Sequence, residues 1–193
     1  CEIGNGSWVE VSATDARRDA NNYGATGYYR PEDLHRDPTY AGEGVRFCWA
    51  NTGREAAQNY GEVICGIDSD PLVADAAVAS VAVNRFVEGD ADFNSVDNLA
   101  FQPHTGNLYV IEDHSNGDVF ACLPDGADRD IKSDGCVKVL SVKDQSAEPT
   151  GFEFTADGKS AIVAIQHSDD GNMADYDDYG TDDIVVITGF KVK

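Results

Sequence analysis

The stretch SVDNLAFQPHTGNLYVIED at residues 95–113, followed by DVFACLPD at 118–125 and CVKVLSV at 136–142, decides the fold. Each run is short, rich in Val, Ile, Leu, Phe and Tyr, and bounded by Pro, Gly, Asn or Asp. Those are the marks of strands joined by tight turns. Four such runs in succession predict a four-stranded antiparallel unit. The same phrase recurs on both sides: YRPEDLHRDP (29–38) leads to VRFCWAN (45–51), and EPTGFEFTADG (148–158) leads to SAIVAIQH (160–167). A strand, turn and more apolar strand repeated at this interval predict an all-β chain: a β-propeller segment of about three four-stranded blades within a larger ring.

The predicted sections are residues 30–92, 93–143 and 144–193, with 1–29 a remnant of a preceding blade and a linker. The third section offers three strands, the last in DDIVVITGFKVK (182–193), so its fourth is expected from outside the chain. Residues 74–88 begin like a helix, but SVAVNRFV alternates with period two and reads as a strand.

Asp and Glu number 35 against 14 Lys and Arg, a formal charge of -21. Such a chain repels nucleic acid and anionic lipid, while its oxygen donors suit a hard cation such as Ca2+. No apolar run is long enough to span a membrane as a helix. Cys48 and Cys65 sit in apolar runs on either side of a polar loop, and Cys122 and Cys136 repeat the arrangement. The reading is two disulfides, Cys48–Cys65 and Cys122–Cys136, stapling adjacent strands in an oxidising compartment: periplasm, extracellular surface or medium. Cys1 is left over, and the opening CEIGNGSWVEV reads as a mature or cleaved product whose cysteine partner lies elsewhere.

RPED with the downstream ANTG and NYGEVI, then VDNLAFQPHTGNLYVIED, then EPTGFEFTADGKSAIVAIQH, resembles the C-terminal half of the PhoX-type alkaline phosphatases. The resemblance implies a secreted phosphomonoesterase whose propeller holds iron (Fe3+) and Ca2+ at one end. It implies a phosphate monoester substrate and completion of the ring by the missing N-terminal half or a second copy. By motif position, Arg30 matches the arginine that grips phosphate and Glu32 the carboxylate that binds iron; these two are the catalytic candidates. Asp97 matches a metal-binding carboxylate of the next section, and Asp113 and Glu148 are candidate calcium ligands. The family's cysteine iron ligand has no counterpart in these residues.

The residue types agree with those roles. A guanidinium presents a planar fork to phosphate oxygens, and a carboxylate beside it can hold a metal. An ion pair closing a turn is the plain alternative for Arg30 and Glu32, and an Asx-type turn for Asp97. His167, ending the strand SAIVAIQH, is a further metal or proton-transfer candidate set against a structural histidine. The loop SDDGNMADYDDYGTDD holds seven Asp in sixteen residues without EF-hand spacing, and reads as solvated. GxSxG, P-loop, GxGxxG and HExxH motifs are absent, which demotes serine hydrolase, nucleotide-dependent and zinc-protease readings. Two rivals stand beside the phosphatase: a non-catalytic calcium-binding or self-assembling extracellular propeller, and a lactonase-like or phytase-like enzyme. The phytase is disfavoured by the scarcity of basic residues.

Overall fold

The structure, a computed structural model, describes residues 3–72, 79–124, 135–168 and 181–192. Cys1 and residues 169–180 of the acidic loop lie outside them. The described strands are β1 (Gly4–Ser7), β2 (Pro31–Arg36), β3 (Val45–Asn51), β4 (Glu62–Asp68), β5 (Ser80–Glu88), β6 (Val96–Phe101), β7 (Leu108–Glu112), β8 (Asp118–Cys122), β9 (Val137–Ser141), β10 (Glu148–Phe154), β11 (Ser160–Ser168) and β12 (Thr181–Thr188). A short helix, α1 (Ala16–Asn22), lies within the residues read as a linker. All pairings are antiparallel.

Three open sheets result, ordered β1-β5-β4-β3-β2, β6-β7-β8-β9 and β10-β11-β12. The second has the expected four strands. The first carries a fifth, because Gly4–Ser7 pairs with β5 at its outer edge. The residues read as the remnant of a preceding unit thus edge the sheet that follows them. The third sheet has three described strands.

Alternation fixes the stacking. Successive residues of a strand face opposite sides of its sheet, and every residue of β7 is buried, so the second sheet is covered on both faces. Leu108 and Val110 join Cys48, Val63, Val87 and Leu99 in a core shared with the first sheet. Tyr109 and Ile111 point the other way, into a core with Phe152, Phe154 and Val163 of the third. There Tyr109 stacks on Phe152 at 5.4 Å between ring centroids and meets Phe154 edge-on at 4.8 Å. The opening strands of the sheets are neighbours, β2 beside β6 and β6 beside β10.

Both expected disulfides are present. Cys48–Cys65 joins residues directly opposite each other on β3 and β4, and Cys122–Cys136 ties the end of β8 to the approach to β9. No described helix is long and apolar enough to cross a membrane.

Candidate functional site

Strands β2–β5, β6–β9 and β10–β12 each run as an antiparallel meander, so the starts of β2, β6 and β10 share one end of the molecule with the finishes of β3, β7 and β11. Arg30, Glu32, Asp97, Asp113, Glu148 and His167 all fall at that end by their places in the strands. The pairing registers also equate positions between sheets: Leu34, Leu99 and Phe152 oppose Trp49, Val110 and Val163 in turn. Counting back, Arg30 corresponds to Ser95 and Glu148, and Glu32 to Asp97 and Thr150.

Local backbone geometry sets this end apart. All three opening strands are bulged at corresponding places, between Pro31 and Leu34, Val96 and Asn98, and Thr150 and Phe152. A bulge inserts an unpaired residue and re-aims its side chain, and bulges cluster next to functional sites. Arg30 and Ser95, which enter the first two of these strands, both have left-handed backbones, with φ of 56° and 51°. A left-handed conformation costs a non-glycine residue about 1–2 kcal/mol. Neighbouring hydrogen bonds hold it in place: the Thr52 amide donates to the Arg30 carbonyl at 3.0 Å, and the Asp113 amide to the Ser95 carbonyl at 2.7 Å.

The half-exposed Arg30 guanidinium donates from Nη1 to the Gly53 carbonyl at 3.3 Å, while its Nη2 lies 3.5 Å from Asp113 Oδ2. Arg30 therefore bridges the first sheet to the second. Asp97 returns the contact, its Oδ1 accepting from Thr52 Oγ1 at 3.4 Å. Partial burial, then the negative charges of Asp113 and Glu32, push the Asp97 carboxyl up to about 6, against the weaker pull of the Thr52 hydroxyl and Arg30. Three carboxylates and one guanidinium thus sense one another across two sheets, with negative charge in excess.

A relay behind this group locks the sheets together. Asp33 Oδ2 accepts from the Leu99 amide at 3.0 Å and lies 3.2 Å from His35 Nε2. Burial opposes ionisation of Asp33, but the hydrogen bonds from His35 and Leu99 win and hold its carboxyl below the usual range. Asn98, at the corresponding position, accepts through Oδ1 from the Gly151 amide at 2.9 Å and the Thr150 hydroxyl at 3.0 Å.

The other candidates have different surroundings. Glu148 accepts from Gln166 Nε2 and lies 3.5 Å from Nε2 of His167, whose side chain is well exposed. Its contacts tie β10 to β11, and no contact joins it to Arg30. His114, in the loop after β7, has Nε2 3.2 Å from the carboxylate of Glu112, which is 1% exposed. That contact raises the His114 pKa to about 9. Glu112 also accepts from the amides of Asn94 and Asp118, at 2.9 and 3.0 Å, and so anchors the entries to β6 and β8.

Among the described residues, no three His, Cys, Asp or Glu side chains gather into a group able to hold a metal ion. Carboxylate oxygens are donors of the right kind for a hard cation, but among the described residues these do not make a cage. Sequence reading passed over Thr52, Asp33 and Asn98. In one dimension nothing marks them; their roles come from the corresponding positions they occupy in successive sheets.

An all-β chain with two disulfides and a carboxylate-rich end built around one arginine defines the class. The chain belongs to the Alkaline phosphatase PhoX family, whose profile matches residues 2–169. No curated protein and no solved structure matches it. The family is one of metal-dependent phosphatases.

Proposed function

We propose that this chain supplies the phosphate-binding arginine and part of the metal-binding carboxylate set of a secreted phosphomonoesterase. The observation that carries the reading is the convergence of Arg30, Asp97 and Asp113 from two sheets, with Glu32 close enough to raise the pKa of Asp97. The Arg30 guanidinium meets phosphate oxygens as a planar fork, and its two present contacts, a backbone carbonyl and one carboxylate, keep it oriented without exhausting its five donors. The excess negative charge beside it attracts cations, and Glu32 and Asp97 are the ligands this chain would lend to Fe3+ and Ca2+. Asp113 serves Arg30 first, and Glu148 and His167 are outlying candidates. The remaining ligands come from outside the chain, from an N-terminal half or a second copy that continues the sheets into a closed propeller. Two disulfides suit the periplasm or the extracellular space.

The test is hydrolysis of p-nitrophenyl phosphate by the chain alone and by the chain mixed with the N-terminal half of a family member, each with Ca2+ and Fe3+. Activity in the mixture that Arg30→Ala abolishes supports the reading; activity untouched by that substitution overturns it.

One observation favours a second reading, association without catalysis. The third sheet leaves Ile162, Ile184, Val185 and Val186 exposed on and beside its last strand, an apolar surface suited to a further sheet. Self-association with bound Ca2+ and no hydrolysis in any mixture would favour a binding or assembly role.

A further inference from the structure

The finishes of β3 and β5 and the start of β4 carry a second group of acceptors, on the side of the first sheet turned away from the second. Asn51 shares its face with Phe47 and Trp49, whereas Cys48 and Ala50 point into the core. In the pairing register Asn51 stands opposite Glu62, and Glu62 opposite Glu88, so one row across three strands presents an amide and two carboxylates. Like charges placed directly opposite destabilise a sheet unless something neutralises them. Half the remedy is present: Arg85 Nε lies 2.7 Å from Glu62 Oε2, and Asn51 Nδ2 donates to Glu62 Oε1 at 3.0 Å. Glu88 has no ion-pair partner among the described residues.

The unusual atom is Asn51 Oδ1. Asn51 is 1% exposed, and this oxygen has no hydrogen-bond partner. The amide cannot be turned round to cure this, because its NH2 group is needed at the Glu62 carboxylate. A buried acceptor left unpaired costs about 1–3 kcal/mol, which a donor from a ligand would recover. Asn51 lines an open cleft of about 710 Å³ together with Tyr28, Tyr29, Tyr60, Glu62 and Glu88. The cleft combines an acceptor without a donor, one carboxylate in excess of its guanidinium, and three aromatic side chains. Aromatic faces attract cations, and an ammonium group is a donor with no acceptor.

We propose that this cleft binds the primary ammonium group of a small organic molecule, with Asn51 Oδ1 and the Glu88 carboxylate accepting its N–H groups. This site is separate from the Arg30 group and stands whether or not the phosphatase reading does.

The test is a titration of the full 193-residue chain, 15N-labelled, with ethylammonium chloride at constant ionic strength. Saturable shifts are expected at the backbone amides of Asn51, Tyr60, Glu88 and Gly89. Tetramethylammonium has the charge without the N–H donors and should bind roughly tenfold more weakly, since Asn51 Oδ1 stays unpaired. Glu88→Gln, which keeps the side chain's size and its place at the end of β5 and removes only the charge, should weaken ethylammonium roughly tenfold, and Tyr29→Ala, with its half-exposed ring, should weaken it less. Equal binding of the two cations, no effect of Glu88→Gln, or shifts produced by calcium chloride or glucose and not by ethylammonium would each overturn the proposal.

Discussion

Replacing Asp97 by Asn should make the metal-free chain more stable near neutral pH and flatten its acid-side stability profile. The Asp97 pKa is pushed up to about 6 from 3.8, through partial burial and the charges of Asp113 and Glu32. The native state therefore holds the proton more tightly than the unfolded chain. Stability falls as pH rises from about 4 to about 6 and stays lower above that window. A shift of this size corresponds to about 3 kcal/mol at full linkage, and partial exposure of the carboxyl reduces it to ~1–2 kcal/mol. Asparagine keeps an oxygen for Thr52 and carries no charge. Urea unfolding with chelator present, from pH 4.5 to 8, should give similar stabilities at the acid end and an advantage of ~1–2 kcal/mol for the variant at pH 7.5. Parallel profiles for the two proteins would refute the reasoning, because they would mean that Asp97 does not sense the other carboxylates.

The pair of His114 with buried Glu112 acts at the other end of the pH scale. With its pKa raised to about 9, its contribution is fully present below about 6.5 and lost as pH rises through 9, so His114→Gln should remove an alkaline loss of stability of ~1 kcal/mol in the same denaturation assay. Asp33→Ala and Asn98→Ala each strip a side-chain acceptor from an amide on the next sheet, and thermal or urea unfolding should show a loss of about 1–3 kcal/mol for each. The double substitution Cys48→Ala and Cys65→Ala opens a bridge spanning 17 residues and should cost about 3 kcal/mol, read as a lower urea midpoint than that of the oxidised wild type. Gly61 has φ of 89°, and a Cβ there would fall 2.7 Å from the carbonyl oxygens of Asn51 and Thr52; Gly61→Ala should therefore displace the loop behind Arg30, visible as amide shifts at Thr52 and Gly53.

Short apolar runs between turn residues determined the strands, because period-two burial and turn chemistry are local properties written along the chain. The repeated phrases determined that there would be several similar sheets, and the placing of Cys48 with Cys65 and of Cys122 with Cys136 determined the two cross-links. Arg30, Glu32 and Asp97 could be singled out for the same reason: a motif is a local pattern. What only the tertiary structure decided is which side chains meet. Arg30 reaches Asp113, 83 positions further on, and not Glu148, which is turned to Gln166 and His167. Residues 4–7 edge the sheet that follows them, because β5 offered an unpaired backbone edge that no sequence pattern announces. Asn51 and Glu88 lie 37 positions apart and acquire meaning only when β3, β4 and β5 bring them into one row. Pairing register and sheet stacking are long-range choices, fixed by which faces can be buried together, and the chemistry at this end of the molecule depends on them.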